Sequence, residues 1–176
     1  MLVMKQIADL LTMTRAILAL LVAWLGLSHG PDVLMLVTWL VILAWTSDVL
    51  DGSLARRSRV QYHTWVGDHD LEVDVFFSAG VLFYLVAAGY VDLGLAVAYL
   101  LICGVVFWHW GLHRALGMLV QFPVYAWFIW VAIRDAPKGG LFLVAWILGA
   151  LIISWPRFPR EVVPGFLVGM REALKK

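Results

Sequence analysis

The sequence predicts an all-α integral membrane protein: a bundle of six transmembrane helices with an N-terminal amphipathic interfacial helix. Three observations carry that prediction. Hydrophobic residues make up 63% of the chain and charged residues 14%, where soluble domains hold about 45–50% and about 25%. The mean hydropathy is +0.90. The acidic and basic residues gather between long apolar runs and leave the middles of those runs uncharged.

The runs fall at about 16–28, 33–49, 73–90, 93–110, 115–133 and 141–155. Several are shorter than the roughly 20 residues a bilayer asks for, so the helices are expected to extend past these limits. Before the first run, Asp9, Thr12 and Arg15 interleave with hydrophobic residues, which predicts an interfacial helix running into the first span. That run has no clear small-residue cleavage site and reads as a helix that stays. Ser28 to Asp32 and Ala136 to Gly140 read as turns, through their glycines and prolines. Pro156 and Pro159 break the helix after the sixth run, with Arg157 and Arg160 at headgroup depth. From Pro164 onward a short amphipathic helix is expected. Residues 1–176 read as one domain, with no linker or internal repeat.

Lysine and arginine set the orientation. Lys5, Arg15, Arg56, Arg57, Arg59, Arg114, Arg157, Arg160, Arg171, Lys175 and Lys176 fall on one side of an alternating six-span arrangement, and Arg134 and Lys138 on the other. The positive-inside rule puts the larger group, and with it both termini, in the cytoplasm. The net charge of +1 and the lack of a basic run give no sign of a nucleic-acid partner. The lone Cys103 excludes a disulfide framework within the chain. Ten Trp and five Tyr suit helices anchored at interfaces.

The chemistry gathers between residues 48 and 74. Asp48 and Asp51 are three apart and Asp70 and Asp74 four apart, so each pair shares a helix face. The first pair ends the second span and the second pair begins the third, and antiparallel neighbours would bring all four carboxylates to one depth. Such a cluster at a membrane edge is costly unless neutralised, and hard oxygen donors suit magnesium, manganese or calcium. One or two such ions can neutralise a diphosphate and stabilise the charge that develops as its bond breaks. Gly52 and Ala55 let a ligand approach the backbone closely, and Arg56 can pair with a phosphate oxygen. For any one aspartate, pairing with Arg56, Arg57 or Arg59 is the plainer reading; four at these spacings ask for more.

This stretch resembles the signature of the CDP-alcohol phosphotransferase family. Asp48, Asp51, Gly52, Ala55 and Arg56 match its first half, and Asp70 and Asp74 its final aspartates. Asp9, Thr12 and Arg15 are similar to the segment before that family's first span, with Asp9 where asparagine is usual. The motif likeness covers roughly residues 5 to 80. Ten residues separate Arg56 from Gly67 where the family has eight, and Val66 stands where the usual spacing to Asp70 would put the glycine. Asp68 reads as the N-cap of the third span.

The resemblance implies metal-dependent transfer of a substituted phosphate from a CDP-linked donor to an alcohol, with release of CMP. Asp48, Asp51, Asp70 and Asp74 would hold two Mg2+ or Mn2+ ions, and Asp74 would also act as general base. Asp48, Gly52, Ala55 and Arg56 would bind the cytidine diphosphate. CDP-diacylglycerol is the expected donor, the setting phospholipid synthesis, and a homodimer the family's common state. Arg15, Arg114 and Arg157, with Arg160, are candidates to meet a phosphate on the acceptor; positive-inside anchoring explains each equally well. His109 and His113 stand at a metal-binding spacing without a supporting motif and read as interfacial. Two other readings stay open: a protein of this fold that binds nucleotide and metal without turnover, and an unrelated six-span carrier.

Overall fold

In hydrocarbon, each backbone N–H and C=O must find its partner within the protein, which restricts spanning segments to helices and closed barrels. The computed structural model describes residues 2–57, 67, 69–173 and 175, with side chains for residues 6–50, 67, 69–173 and 175. Its described elements are all helical: α1 (Leu2–His29), α2 (Leu34–Arg57), α3 (Asp70–Ala87), α4 (Leu93–Trp110), α5 (Arg114–Asp135), α6 (Pro137–Ser154) and α7 (Val163–Ala173). Among the described residues, four stretches are long and apolar enough to cross a membrane: Gln6–Leu50, Leu93–Trp110, Arg114–Asp135 and Pro137–Ser154. The first contains both α1 and α2, which the 3₁₀ turn Gly30–Val33 folds back against each other. Gly30 takes φ +59 at that turn, a backbone region glycine enters without a Cβ penalty.

Helix α1 organises the bundle. It packs most extensively on α3 and next on α2. The α1–α3 crossing is parallel and close because small residues meet there: a Cβ on Gly80 would lie 2.7 Å from the Ala19 carbonyl oxygen, and one on Gly26 would lie 3.0 Å from Tyr84 Cα. Small residues at helix crossings are the membrane solution to close packing. One hydrophobic cluster then draws Val22, Val41, Tyr84, Ala96, Phe128 and Leu143 from the six long helices. Leu101, Val105, Trp108 and Ile153 point outward, as expected of a surface that faces lipid.

Several boundaries differ from the sequence expectation. The interfacial segment and first span form one unbroken helix, α1. Helix α2 runs on to Arg57, past the limit of its apolar run at 49, and α1 packs against both α2 and α3. Helix α6 begins at Pro137, leaving Ala136 as the bend, because Gly139 and Gly140 belong to a close helix contact. A Cβ on Gly140 would sit 2.6 Å from Ile133 Cα, and one on Gly139 would sit 2.7 Å from Met35 Sδ. Helix α3 begins at Asp70 with His69 at the cap position, where its side chain makes no capping bond; Asp68, expected there, lies outside the described residues. Gly111, at φ +77, ends α4, so His109 and His113 do not share a helix face. After Ser154 a π turn, Phe158–Val162, leads into α7.

The α1–α3 contact yields a direct expectation. Gly80→Val should cost about 1–3 kcal/mol by overpacking and lower the thermal midpoint in detergent. Gly104→Ala, where nothing stands within 4 Å, should not lower it.

Candidate functional site

Arg15 extends from α1 into the space between the ends of α2 and α3. It is 1% exposed. Its Nη1 donates to Asp48 Oδ1 at 2.9 Å and also to Asp74 Oδ1, and its Nη2 donates to Asp70 Oδ1 and, at 3.3 Å, to Thr12 Oγ1. Thr12 Oγ1 in turn donates to Asp70 Oδ1 at 3.3 Å. Thr12 and Arg15 are three residues apart and face one way, as do Asp70 and Asp74 at four. The parallel α1–α3 crossing sets these two faces side by side. Asp48 arrives from the far end of antiparallel α2.

Carboxylate oxygens of Asp48, Asp70 and Asp74 lie within 4.8 Å of one another. A guanidinium holds many donors in a rigid plane and is weakly hydrated, which suits it to a buried position facing several carboxylates. Burial falls off across the cluster: the Arg15 side chain is 2% exposed, Asp74 28%, Asp70 42% and Asp48 50%. The acids therefore form an open rim over a buried cation. Three carboxylates against one guanidinium leave the four groups with a formal charge of −2. An all-oxygen donor set of this charge fits a hard divalent ion.

A cavity of about 160 Å³ opens beside the cluster, lined by Arg15, Asp48, Asp74, Trp45, Gln121 and Tyr125 among others. Trp45 and Tyr125 meet edge to face at 5.1 Å. Trp146 braces this corner, donating from Nε1 to Thr46 Oγ1 at 3.0 Å. Gln121 and Tyr125 were not foreseen as site residues. An uncharged polar side chain in the midst of an apolar run was the available signal for Gln121; Tyr125 and Trp45 look like any interfacial aromatic until α5 is docked.

The remaining candidates separate into two groups. Asp51, Gly52, Ala55 and Arg56 lie on α2 by their backbone, and their side chains lie outside the described residues. Arg114 and Arg157 line one cavity of about 460 Å³, together with His113, Met118, Glu161 and Phe166. Arg157 Nε donates to Glu161 Oε2 at 2.8 Å, while His113 Nε2 is buried without a hydrogen-bond partner. Helix α7 closes this cavity by packing onto the start of α5, where a Cβ on Gly169 would sit 2.8 Å from Ala115 Cβ. Met118 and Gln121 are three residues apart on α5, about 4.5 Å along the axis, so the linings of the basic and acidic cavities come within one turn of each other there. Arg15 stands with the aspartates, and Arg160, which is exposed, lines neither cavity.

Removing one carboxylate should reveal how the cluster is loaded. Asp74→Asn, at the most buried acid, should lower metal-free stability by about 1–3 kcal/mol. Asp48→Asn, at a half-exposed acid, should cost under about 1 kcal/mol. Thermal denaturation in chelator checks the order. Comparison of the chain with protein-family models, curated proteins and solved structures finds no match, so a function has to be argued from these residues.

Proposed function

We propose that the chain is a metal-dependent CDP-alcohol phosphotransferase of phospholipid synthesis, embedded as a six-span bundle with its acidic site at the cytoplasmic face. One observation carries the reading: Asp48, Asp70 and Asp74, matched by motif and separated in sequence, present carboxylate oxygens within 4.8 Å of one another. Arg15 and Thr12, from the other segment that resembles the family, meet them there. Residues singled out by their spacing and by the resemblance thus share one small volume. The six-span count is supported by α1 and α2 being separate arms of the hairpin Gln6–Leu50, and by α3 having the same 18 residues as α4 and α6 while carrying Asp70, Glu72 and Asp74 in its first turns. The lysine and arginine distribution supports the cytoplasmic placement.

Mg2+ or Mn2+ held by Asp48, Asp70 and Asp74, with Asp51 as the further candidate ligand, would supply charge neutralisation for the diphosphate. The chain's own groups do the rest. Asp74, the least exposed of the three acids, takes the proton of the acceptor hydroxyl. The hydroxyl oxygen forms a bond to the donor phosphorus, and the bond from that phosphorus to the CMP oxygen breaks. CMP departs with the electron pair.

The cavity of Arg114 and Arg157 favours an acceptor that bears a phosphate. Its lining comes within one helical turn of that of the acidic cavity, and it combines two guanidinium groups with the buried Nε2 of His113. The exposed apolar sides of the helices suit a lipid donor such as CDP-diacylglycerol, whose acyl chains enter from the bilayer.

CMP release by purified protein tests the reading, with CDP-diacylglycerol, Mg2+ or Mn2+, and paired acceptors with and without phosphate. Turnover should require metal and fall about 10²- to 10⁴-fold in Asp74→Asn. Arg114→Ala and Arg157→Ala should raise KM for the phosphorylated acceptor and leave KM for the donor unchanged. Absence of both CMP release and metal-dependent donor binding would remove the assignment.

A further inference from the structure

Arg15 occupies the position that a metal ion would need. Its two terminal nitrogens bond to one oxygen each of Asp48, Asp70 and Asp74, and among the described residues those three carboxylates are close enough to share an ion. A guanidinium and a divalent ion cannot both sit at the centre of the same small oxygen set. Removing the ion without a replacement would leave acids crowded at the inner end of an apolar bundle, at large electrostatic cost. Arg15 removes that cost in the metal-free protein. The structure also offers it a second seat. The cavity beside the cluster is lined by Arg15, Asp48 and Asp74 together with Trp45, Gln121 and Tyr125, and planar guanidinium groups stack well on aromatic rings.

We propose that Arg15 is an exchangeable internal counter-cation. It holds the three carboxylates together in the metal-free protein. A divalent ion displaces it into the aromatic cavity lined by Trp45 and Tyr125. This rests on the metal-site reading above and adds to it a two-position side chain whose equilibrium the ion sets. Metal affinity is then the difference between what the carboxylates gain from the ion and what they lose in Arg15. The aromatic seat contributes to that affinity through Arg15 alone.

Mn2+ binding by the full-length protein in detergent, followed by the electron paramagnetic resonance of the free ion, provides the test. Arg15→Gln should bind Mn2+ about tenfold tighter or more, since a competing unit charge is gone. It should also lose thermal stability in chelator and regain it with Mn2+. Tyr125→Leu should weaken Mn2+ binding several-fold in the wild-type background and have no effect in the Arg15→Gln background. That non-additivity marks exchange rather than simple repulsion. Wild-type protein supplies a measurement independent of any variant: labelling of Arg15 by phenylglyoxal, located by peptide mass spectrometry, should speed up several-fold when Mn2+ is saturating.

If wild type binds Mn2+ and Arg15→Gln binds it no tighter, the exchange is wrong and the metal site stands. Equal effects of Tyr125→Leu in both backgrounds, or unchanged Arg15 labelling, would overturn the exchange in the same way. If neither wild type nor Arg15→Gln binds Mn2+ or Mg2+, the metal site falls and the exchange falls with it.

Discussion

A guanidinium inside a helical bundle persists because carboxylates meet it, and three meet Arg15. That contact ties α1 to the ends of both α2 and α3, and it sets the depth at which the acidic residues sit. It also explains why the acids gather at all. Mutual repulsion would drive Asp48, Asp70 and Asp74 apart, whereas a shared cation draws them to within reach of one another. A buried pair of this kind contributes little to net stability relative to apolar packing, but losing either partner is costly. The cluster therefore specifies an arrangement more than it strengthens one.

The packing of α1 on α3 is what allows Arg15 to reach. Gly80 brings the α3 backbone against the Ala19 carbonyl, and Gly26 brings α1 against Tyr84. Without a Cβ at these points the two helices run close and parallel, so that the Thr12 and Arg15 face of one meets the Asp70 and Asp74 face of the other. Core packing and site geometry thus depend on the same two glycines. Helix α4 stands apart from this arrangement. It packs weakly on α3, and much of its length is exposed.

Helix α5 joins the two polar cavities. Its first turns carry Arg114 and Met118 toward α7, and the next carry Gln121 and Tyr125 toward the aspartates. The linings of the two cavities come within one helical turn of each other along α5, at Met118 and Gln121. This juxtaposition relates the arginines at the chain's later turns to acids that precede them by some forty residues or more.

Composition and the spacing of charges determined much of this protein by themselves. Apolar runs fix where helices must form, because backbone groups in hydrocarbon have no other partners, and α4 has the bounds 93–110 that its run predicted. The spacings of Asp48 with Asp51 and of Asp70 with Asp74 put each pair on one helix face, a local consequence of helical pitch. Tertiary structure decided what those faces meet. Arg15 read as a surface anchor or an acceptor-binding cation because its own neighbours in sequence are interfacial; only the α1–α3 crossing turns it inward. Gly139 and Gly140 read as a loop because their Cβ-less backbone serves turns and close contacts equally, and the position of Ile133 and Met35 settles which. Gln121, Tyr125 and Trp45 carry no local pattern, and their role exists only through the docking of α5. Pitch acts over one turn and can be read from spacing. Contact between helices depends on side-chain volume at every crossing at once, and the chain folded as a whole resolves it.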